Sequence, residues 1–454
     1  MKKRWSAWRY LWKSEDIRRK LLVTLGILVI YRFAANVPVP GLNYGVLNQL
    51  LAQLSASGGT FFQFLDMLSG GTVSKFSLLA MGVYPYITAQ IILQLLVPII
   101  PALQRMQEDN PSEARKWMDK WTLILTIPMA TLSALGQISI FNSMSRQYGQ
   151  VVPFGFSQGM VIPSLTILLS MVGGTMFAIW LGEMISEFGI RNQGLSLIIF
   201  AGIVARIPSN FRGLMSDRQY WLLLVAFLII VILATFFAIV YVQQGRRYVP
   251  VMYPGRRVGN RMSMPVKGSF PLMVNMAGMI PLIFAGAILQ FPSILASYFT
   301  GSQNENVANA ATSVVQWFNG GSWSYWLTYF LMVVAFTFFY TAVLFEQQNY
   351  GENLKKMGAQ IPGINRGAPT QKYLSKVQNR ITFVGALFLG LVAILPYLIS
   401  LFLKAIIGGS ANTAGLFLTS SAGLLIVVGV VRDTFSNIDA ELKLHGYTDS
   451  ILVK

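Results

Sequence analysis

Only one stretch of this sequence has the spacing of a catalytic motif. Gly155-Phe-Ser-Gln-Gly159 fits G-x-S-x-G, the sharp turn that presents a nucleophilic serine, here Ser157. That motif needs a strand–turn–helix context and a histidine base. The sole histidine, His445, lies near the far end of the chain. The stretch around Ser157 leads into an apolar helix, so it reads as a Gly-rich loop. There are no cysteines, which excludes disulfides, thiolate metal sites, iron–sulfur clusters and cysteine nucleophiles. One histidine leaves little for zinc, haem or imidazole acid–base work. No G-x-x-x-x-G-K-[ST] loop is present, so the chain has no nucleotide site of its own. These residues point to no enzyme, no metal and no cofactor.

The elements around them belong to a membrane. Of 454 residues, 54% are hydrophobic and 11% charged, and mean hydropathy is +0.55; a soluble domain carries about 25% charged residues. Spans of roughly 20 residues fall at 21–37, 76–97, 121–141, 160–181, 195–211, 220–242, 271–291, 323–345, 381–403 and 415–431. Ten spans put both termini on one side. Net charge is +18, and its placement tests that count. The N-terminal segment, the even-numbered connections and the C-terminal tail hold 28 of the 35 Lys and Arg. The remaining 7, such as Arg32, Lys75 and Lys404, lie in spans or on the other side. Basic loops stay cytoplasmic, so both termini are expected there. Residues 1–20 read as an amphipathic surface segment, with Trp5, Trp8, Tyr10 and Trp12 among eight cations. Of the 17 acidic residues none falls at a span centre, whereas gradient-driven transporters place ionisable groups there.

Three connections break the simple pattern. Phe61, Phe64, Leu65 and Leu68 recur at i, i+3, i+4, i+7 and Gly70-Gly71 stop them. The result is an apolar half-helix too short to span. It lies either on the outer leaflet or folds back into the protein, where backbone at membrane depth is tolerated. Residues 243–270 carry Arg246, Arg247, Arg256 and Arg257, and residues 346–380 carry Lys355, Lys356, Arg366, Lys372 and Lys376. Such loops serve topology and touch anionic lipid. Their length and proline content also suit docking of an acidic partner, ribosomal RNA or protein.

Ordered motifs then carry a resemblance. Ser69-Gly-Gly71, Gly82-Val-Tyr-Pro-Tyr-Ile87, Gly173-Gly-Thr-Met-Phe177, Trp180-Leu-Gly-Glu183, Ile198-Ile-Phe-Ala-Gly-Ile-Val204, Val274-Asn-Met-Ala-Gly278, Phe338-Phe-Tyr-Thr-Ala342, Asn353-Leu-Lys-Lys356, Pro362-Gly-Ile364 and Leu424-Leu-Ile-Val427 resemble the SecY family over essentially the whole chain. The resemblance implies an all-α polytopic membrane protein. Its ten helices form two inverted pseudo-symmetric halves, 21–211 and 212–431, around a pore, with a cytoplasmic tail at 432–454. It implies a plug at 60–71, so Phe61, Phe64, Leu65, Leu68, Gly70 and Gly71 acquire that role. It implies a pore ring of Val83, Ile87, Leu195, Ile199, Ile283 and Ile426, and a lateral gate carrying Thr88 and Asn275. Met129 stands where a gate glutamine is common in the family. Arg246, Arg247, Arg256, Arg257, Lys355, Lys356 and Arg366 become contacts for the SecA ATPase or the ribosome, with Arg366 standing in for an arginine expected at Asn365. Further implied partners are SecE and SecG, signal peptides and nascent chains, YidC or SecDF, and membrane lipids, all at the bacterial cytoplasmic membrane. The function expected is passage of unfolded polypeptide across the membrane and lateral release of membrane segments. A small-solute transporter is the alternative.

Overall fold

The computed structural model describes residues 15–56, 72–73, 75–145, 149–155, 160–191, 193–205, 208, 221–254, 257–258, 261–262, 266–299, 304–318, 322–407 and 421–444. The plug segment 60–71, Ser157, Arg256 and His445 lie outside these residues. Every expected span overlaps a helix. In the first half these are α1 (Glu15–Ala34), α3 (Tyr84–Leu96), α5 (Pro111–Met144), α6 (Val161–Phe188) and α7 (Gly194–Val204). Here α2 (Tyr44–Ala56) and α4 (Pro101–Asp109) are short connecting helices. In the second half they are α8 (Trp221–Gln244), α9 (Ile280–Phe299), α11 (Trp323–Gln347), α13 (Ala368–Ile407) and α14 (Ser421–Leu444). The connecting helices there are α10 (Glu305–Trp317) and α12 (Tyr350–Lys356).

Among the described residues, four helices are long and apolar enough to cross a membrane alone: Ser112–Ser139, Val161–Phe188, Trp323–Lys356 and Ala368–Phe402. A pair bent by 97°, α3 with Pro101–Gln107, makes up to a fifth. The helix expected over 76–97 begins only at Tyr84, behind Pro85 in its first turn. The residues before it cannot continue a helix, because Phe76 and Gly82 have φ of 43° and 55°. This irregular stretch is packed inside the protein, with Phe76 fully buried against Phe141 at 4.9 Å. Its backbone is paired: Val39 N donates to Phe76 O, and Leu78 N to Val37 O. Non-helical backbone is tolerated at membrane depth only under such cover.

Neighbour relations repeat between the halves. In the first, α3 packs on α5, α5 on α6, α6 on α7, and α1 on both α6 and α7. In the second, α9 packs on α11, α11 on α13, α13 on α14, and α8 on α14; Phe227 of α8 stacks on Phe402 of α13 at 6.2 Å. Each contact has its counterpart five spans later. The halves meet where α7 touches α14 and where α9 crosses α5 and α3.

Glycines set the closest crossings. A Cβ on Gly174 of α6 would fall on the Leu78 carbonyl oxygen. One on Gly194 of α7 would fall on the Gly182 carbonyl oxygen of α6. Only a residue without a side chain allows backbones that near.

The basic connection 243–270, expected as a long cytoplasmic loop, forms an antiparallel hairpin of β1 (Arg246–Tyr253) and β4 (Val266–Met273), which takes up the first residues of the span expected over 271–291. Inside it lie two short strands, β2 (Arg257–Val258) and β3 (Arg261–Met262), paired with each other. Pro250 and Pro271 both sit within strands, where proline is uncommon. Both fit here because Met252, of the same parity as Pro250, turns its N–H outward to Gln360 O. Pro271 faces Tyr248, also of that parity, so neither missing donor interrupts the ladder. Val249, Val251 and Leu272 bury one hairpin face against Phe345, Leu354, Ile361, Leu374 and Val377. The two long basic connections are thus one packed unit.

Candidate functional site

The six ring residues come from four helices. Val83 caps the N-terminus of α3, and Ile87 lies one turn on. Leu195 and Ile199 stand four apart on α7, on one face. Ile426 is on α14 and Ile283 in the first turn of α9. The structure brings five of them into one hydrophobic cluster. Val83, Ile199 and Ile426 are buried in it at 4%, 8% and 2% exposure, and Ile87 and Leu195 pack against it partly buried. Ile283 is buried too, at 5%, but belongs to neither neighbouring cluster; Met279, one turn before it, touches both. The position of α7 follows from the Gly182–Gly194 crossing: Leu195 lies directly on Gly182, and Ile198 packs beside it.

Beside the ring runs a seam between halves. Ile91 and Leu95 of α3 face Ile280, Pro281 and Phe284 of α9 and Phe336, Phe339 and Tyr340 of α11. The crevice between them holds about 10 Å³, roughly room for one water and no more. Polar closure comes from residues that sequence reasoning missed. The buried Tyr340 hydroxyl donates to Gln94 Oε1 at 2.8 Å, and Gln347 Nε2 donates to the Gln94 carbonyl at 3.1 Å. A glutamine inside an apolar helix was the available signal.

The two polar residues expected at this gate are each satisfied locally. Thr88 donates to the Tyr84 carbonyl one turn back. Asn275 Oδ1 accepts from Gly278 N and its Nδ2 donates to Gly278 O, closing a turn at φ +65° before α9. No hydrogen bond joins Thr88 to Asn275 among the described residues. Met129 is partly buried on α5, and nearby Thr126 bonds to the Thr122 carbonyl.

Five of the basic residues lie exposed on the packed unit. Arg246 and Arg247 are exposed on β1; Lys355 and Lys356 end α12, exposed. Lys355 pairs with Glu352 at 3.3 Å. Arg366 is exposed after a turn, Ile361-Pro-Gly-Ile364, in which Ile364 N bonds to Ile361 O and Gly363 has φ +81°. That pattern is a type II turn. Arg257 is on β2.

Apolar helices of spanning length that meet over a buried hydrophobic cluster are the architecture of a polytopic membrane protein. The comparisons agree. The SecY family model matches residues 77–435. Among curated relatives, a protein translocase subunit SecY of Thermotoga maritima is 36% identical over 98% of this chain and 97% of its own. Those of Aquifex aeolicus and Escherichia coli are 38% and 35% identical over 95% and 96% of this chain, and 96% and 94% of their own. A solved protein-conducting channel shares the fold with TM-score 0.60 at 18% identity, over 96% of this chain and 95% of its own. So does a SecY protein whose plug domain is described as stabilising the closed channel (0.59, 19%, 96% and 95%). The chain belongs to the SecY family, the protein-conducting subunits of protein translocases, and is not an enzyme. It is a membrane protein that works with other Sec components. The small-solute transporter reading finds no support.

Proposed function

We propose that Val83, Ile87, Leu195, Ile199, Ile283 and Ile426 form the constriction through which an extended polypeptide passes, and that the α3–α9–α11 seam is the lateral gate. The observation that carries this is the convergence of five of the six, from three helices, in one hydrophobic cluster. Branched apolar side chains seal around a chain of any sequence and dewet when empty, which resists ion leakage. A signal peptide or membrane segment is itself apolar, so it competes for the seam's own contacts. Opening then costs the two bonds to Gln94, from Tyr340 and from Gln347.

In this reading residues 60–71 plug the channel from outside, and Thr88 and Asn275 border the gate. The unit of hairpin, α12 and the start of α13 faces the cytoplasm. There Arg246, Arg247, Arg256, Arg257, Lys355, Lys356 and Arg366 receive SecA or the ribosome, since exposed cations on a rigid base attract an acidic partner. SecE and SecG sit beside the chain in the bacterial inner membrane, with both termini cytoplasmic.

The absence of cysteine makes a clean test available. Single cysteines replace Ile199, Val83 or the lipid-exposed Leu169, and a precursor carrying one cysteine is arrested in transit. Disulfides at positions 199 and 83 but not 169 support the pore; equal yields at all three would overturn it.

A further inference from the structure

Where α13 leaves the basic unit and enters the apolar span, Lys372, Lys376 and Arg380 stand at i, i+4 and i+8, one face of the helix. They border an open groove of about 590 Å³ between α13 and α11. Ser375 and Asn379 add donors to the same wall, and its floor is Phe338 and Phe383, with ring centroids 6.4 Å apart. All three cations are exposed, and Phe383 is 54% exposed. Arg380 is the last charge before an uncharged apolar run reaching Leu403. The groove therefore has a cationic upper half and an aromatic lower half at the boundary of the hydrocarbon.

Its charge has no acidic counterpart among the described residues. No Asp or Glu occurs between Glu352 and Asp433. Glu346, at the end of α11, does not line the groove. No ion pair joins Lys372, Lys376 or Arg380 to an acidic side chain among the described residues. The three sit close enough in sequence to repel one another. Topology alone does not require three cations on one stripe over two aromatic rings.

We propose that this groove binds the headgroup of an anionic phospholipid, its phosphodiester held by Lys372, Lys376 and Arg380 and its glyceride and first methylenes lying on Phe338 and Phe383. The phosphate oxygens accept charge-assisted hydrogen bonds from the cations. Ser375 and Asn379 reach the headgroup's remaining polar atoms. Charge complementarity selects an anionic over a zwitterionic lipid. The aromatic floor selects a lipid over free phosphate. The proposal needs only the membrane orientation of α13, so it stands or falls apart from the pore reading.

The test is lipid titration of the purified full chain in nonionic detergent, read by native mass spectrometry. The probes are dioleoylphosphatidylglycerol, dioleoylphosphatidylcholine and inorganic phosphate. The tightest phosphatidylglycerol site is expected to weaken roughly fivefold for each cation removed and on the order of 100-fold in K372Q/K376Q/R380Q. An equally charge-reduced control on the hairpin, R246Q/R247Q/K267Q, is expected to keep that site. F383S is expected to weaken the lipid while leaving phosphate binding unchanged. Should the triple variant fail to fold, K376Q alone carries the fivefold expectation, and the charge-conserving K372R/K376R/R380K is expected to bind as the parent does. Equal loss in the hairpin control would overturn the site in favour of diffuse charge. Equal binding of phosphatidylcholine, or displacement of the lipid by phosphate, would overturn the lipid assignment.

Discussion

Replacing Tyr340 by Phe removes one oxygen from the closed seam and nothing else. Tyr340 is 5% exposed, and its hydroxyl gives the 2.8 Å bond to Gln94. The apolar partners across the crevice, Ile91, Leu95, Ile280, Phe284 and Phe336, keep their contacts. Interhelical side-chain bonds inside membrane proteins contribute about 0.6 kcal/mol on average and up to about 1.7. If that bond exists only in the closed state, Y340F raises the open fraction about 3-fold, up to about 18-fold. Q94L removes the same bond from the other side but also orphans the Tyr340 hydroxyl. The two effects must then be non-additive, the double variant opening no more than Q94L alone because it also removes the orphaned hydroxyl. The reporter is a single cysteine at Ile91, 3% exposed in the closed seam, labelled by a maleimide at a rate that follows the open fraction. An unchanged rate in Y340F, or strictly additive effects of the two substitutions, would refute the latch.

Three further outcomes follow from the same geometry. G194A puts a methyl onto the Gly182 carbonyl and is expected to separate α6 from α7, costing about 1–3 kcal/mol; a lowered unfolding temperature of the purified protein, with lost transport, checks it, whereas Gly173, which has open space around its Cβ position, tolerates Ala. I199D places a charge in an apolar cluster and is expected to hydrate it, so ion leakage through reconstituted membranes rises with insertion unchanged. R256E/R257E/R366E is expected to abolish SecA or ribosome binding measured by sedimentation, most clearly at low salt, while membrane insertion stays intact.

How much of this was legible from the sequence differs by element. The long helices α6, α11 and α13 were, because each presents an uninterrupted apolar run. The start of α3 was not: residues 76–83 are as apolar as any span, and composition says nothing of the positive φ at Phe76 and Gly82 that ends helical backbone. The hairpin was not read from the sequence: Pro250 and Pro271 are uncommon strand residues, tolerated here because parity puts both on the outer edge. The ring residues came from family resemblance. Val83, Leu195 and Ile426 are separated by more than 100 residues from one another, and no periodicity within a helix encodes which faces will meet. Gln94 was legible as a polar residue in an apolar helix, but its partner Tyr340, 246 residues away, was not. Thr88, on α3, and Asn275, in the turn before α9, show the converse: polar types whose hydrogen bonds are spent on nearby backbone.

The central claim is that polypeptide crosses the membrane through this chain. The direct measurement reconstitutes it with SecE in lipid vesicles, adds SecA, ATP and a radiolabelled secretory precursor, and digests with protease. The account predicts a full-length precursor that is protected until detergent is added, with protection lost when ATP is withheld. A correctly inserted, stable complex that leaves the precursor fully digestible would contradict it.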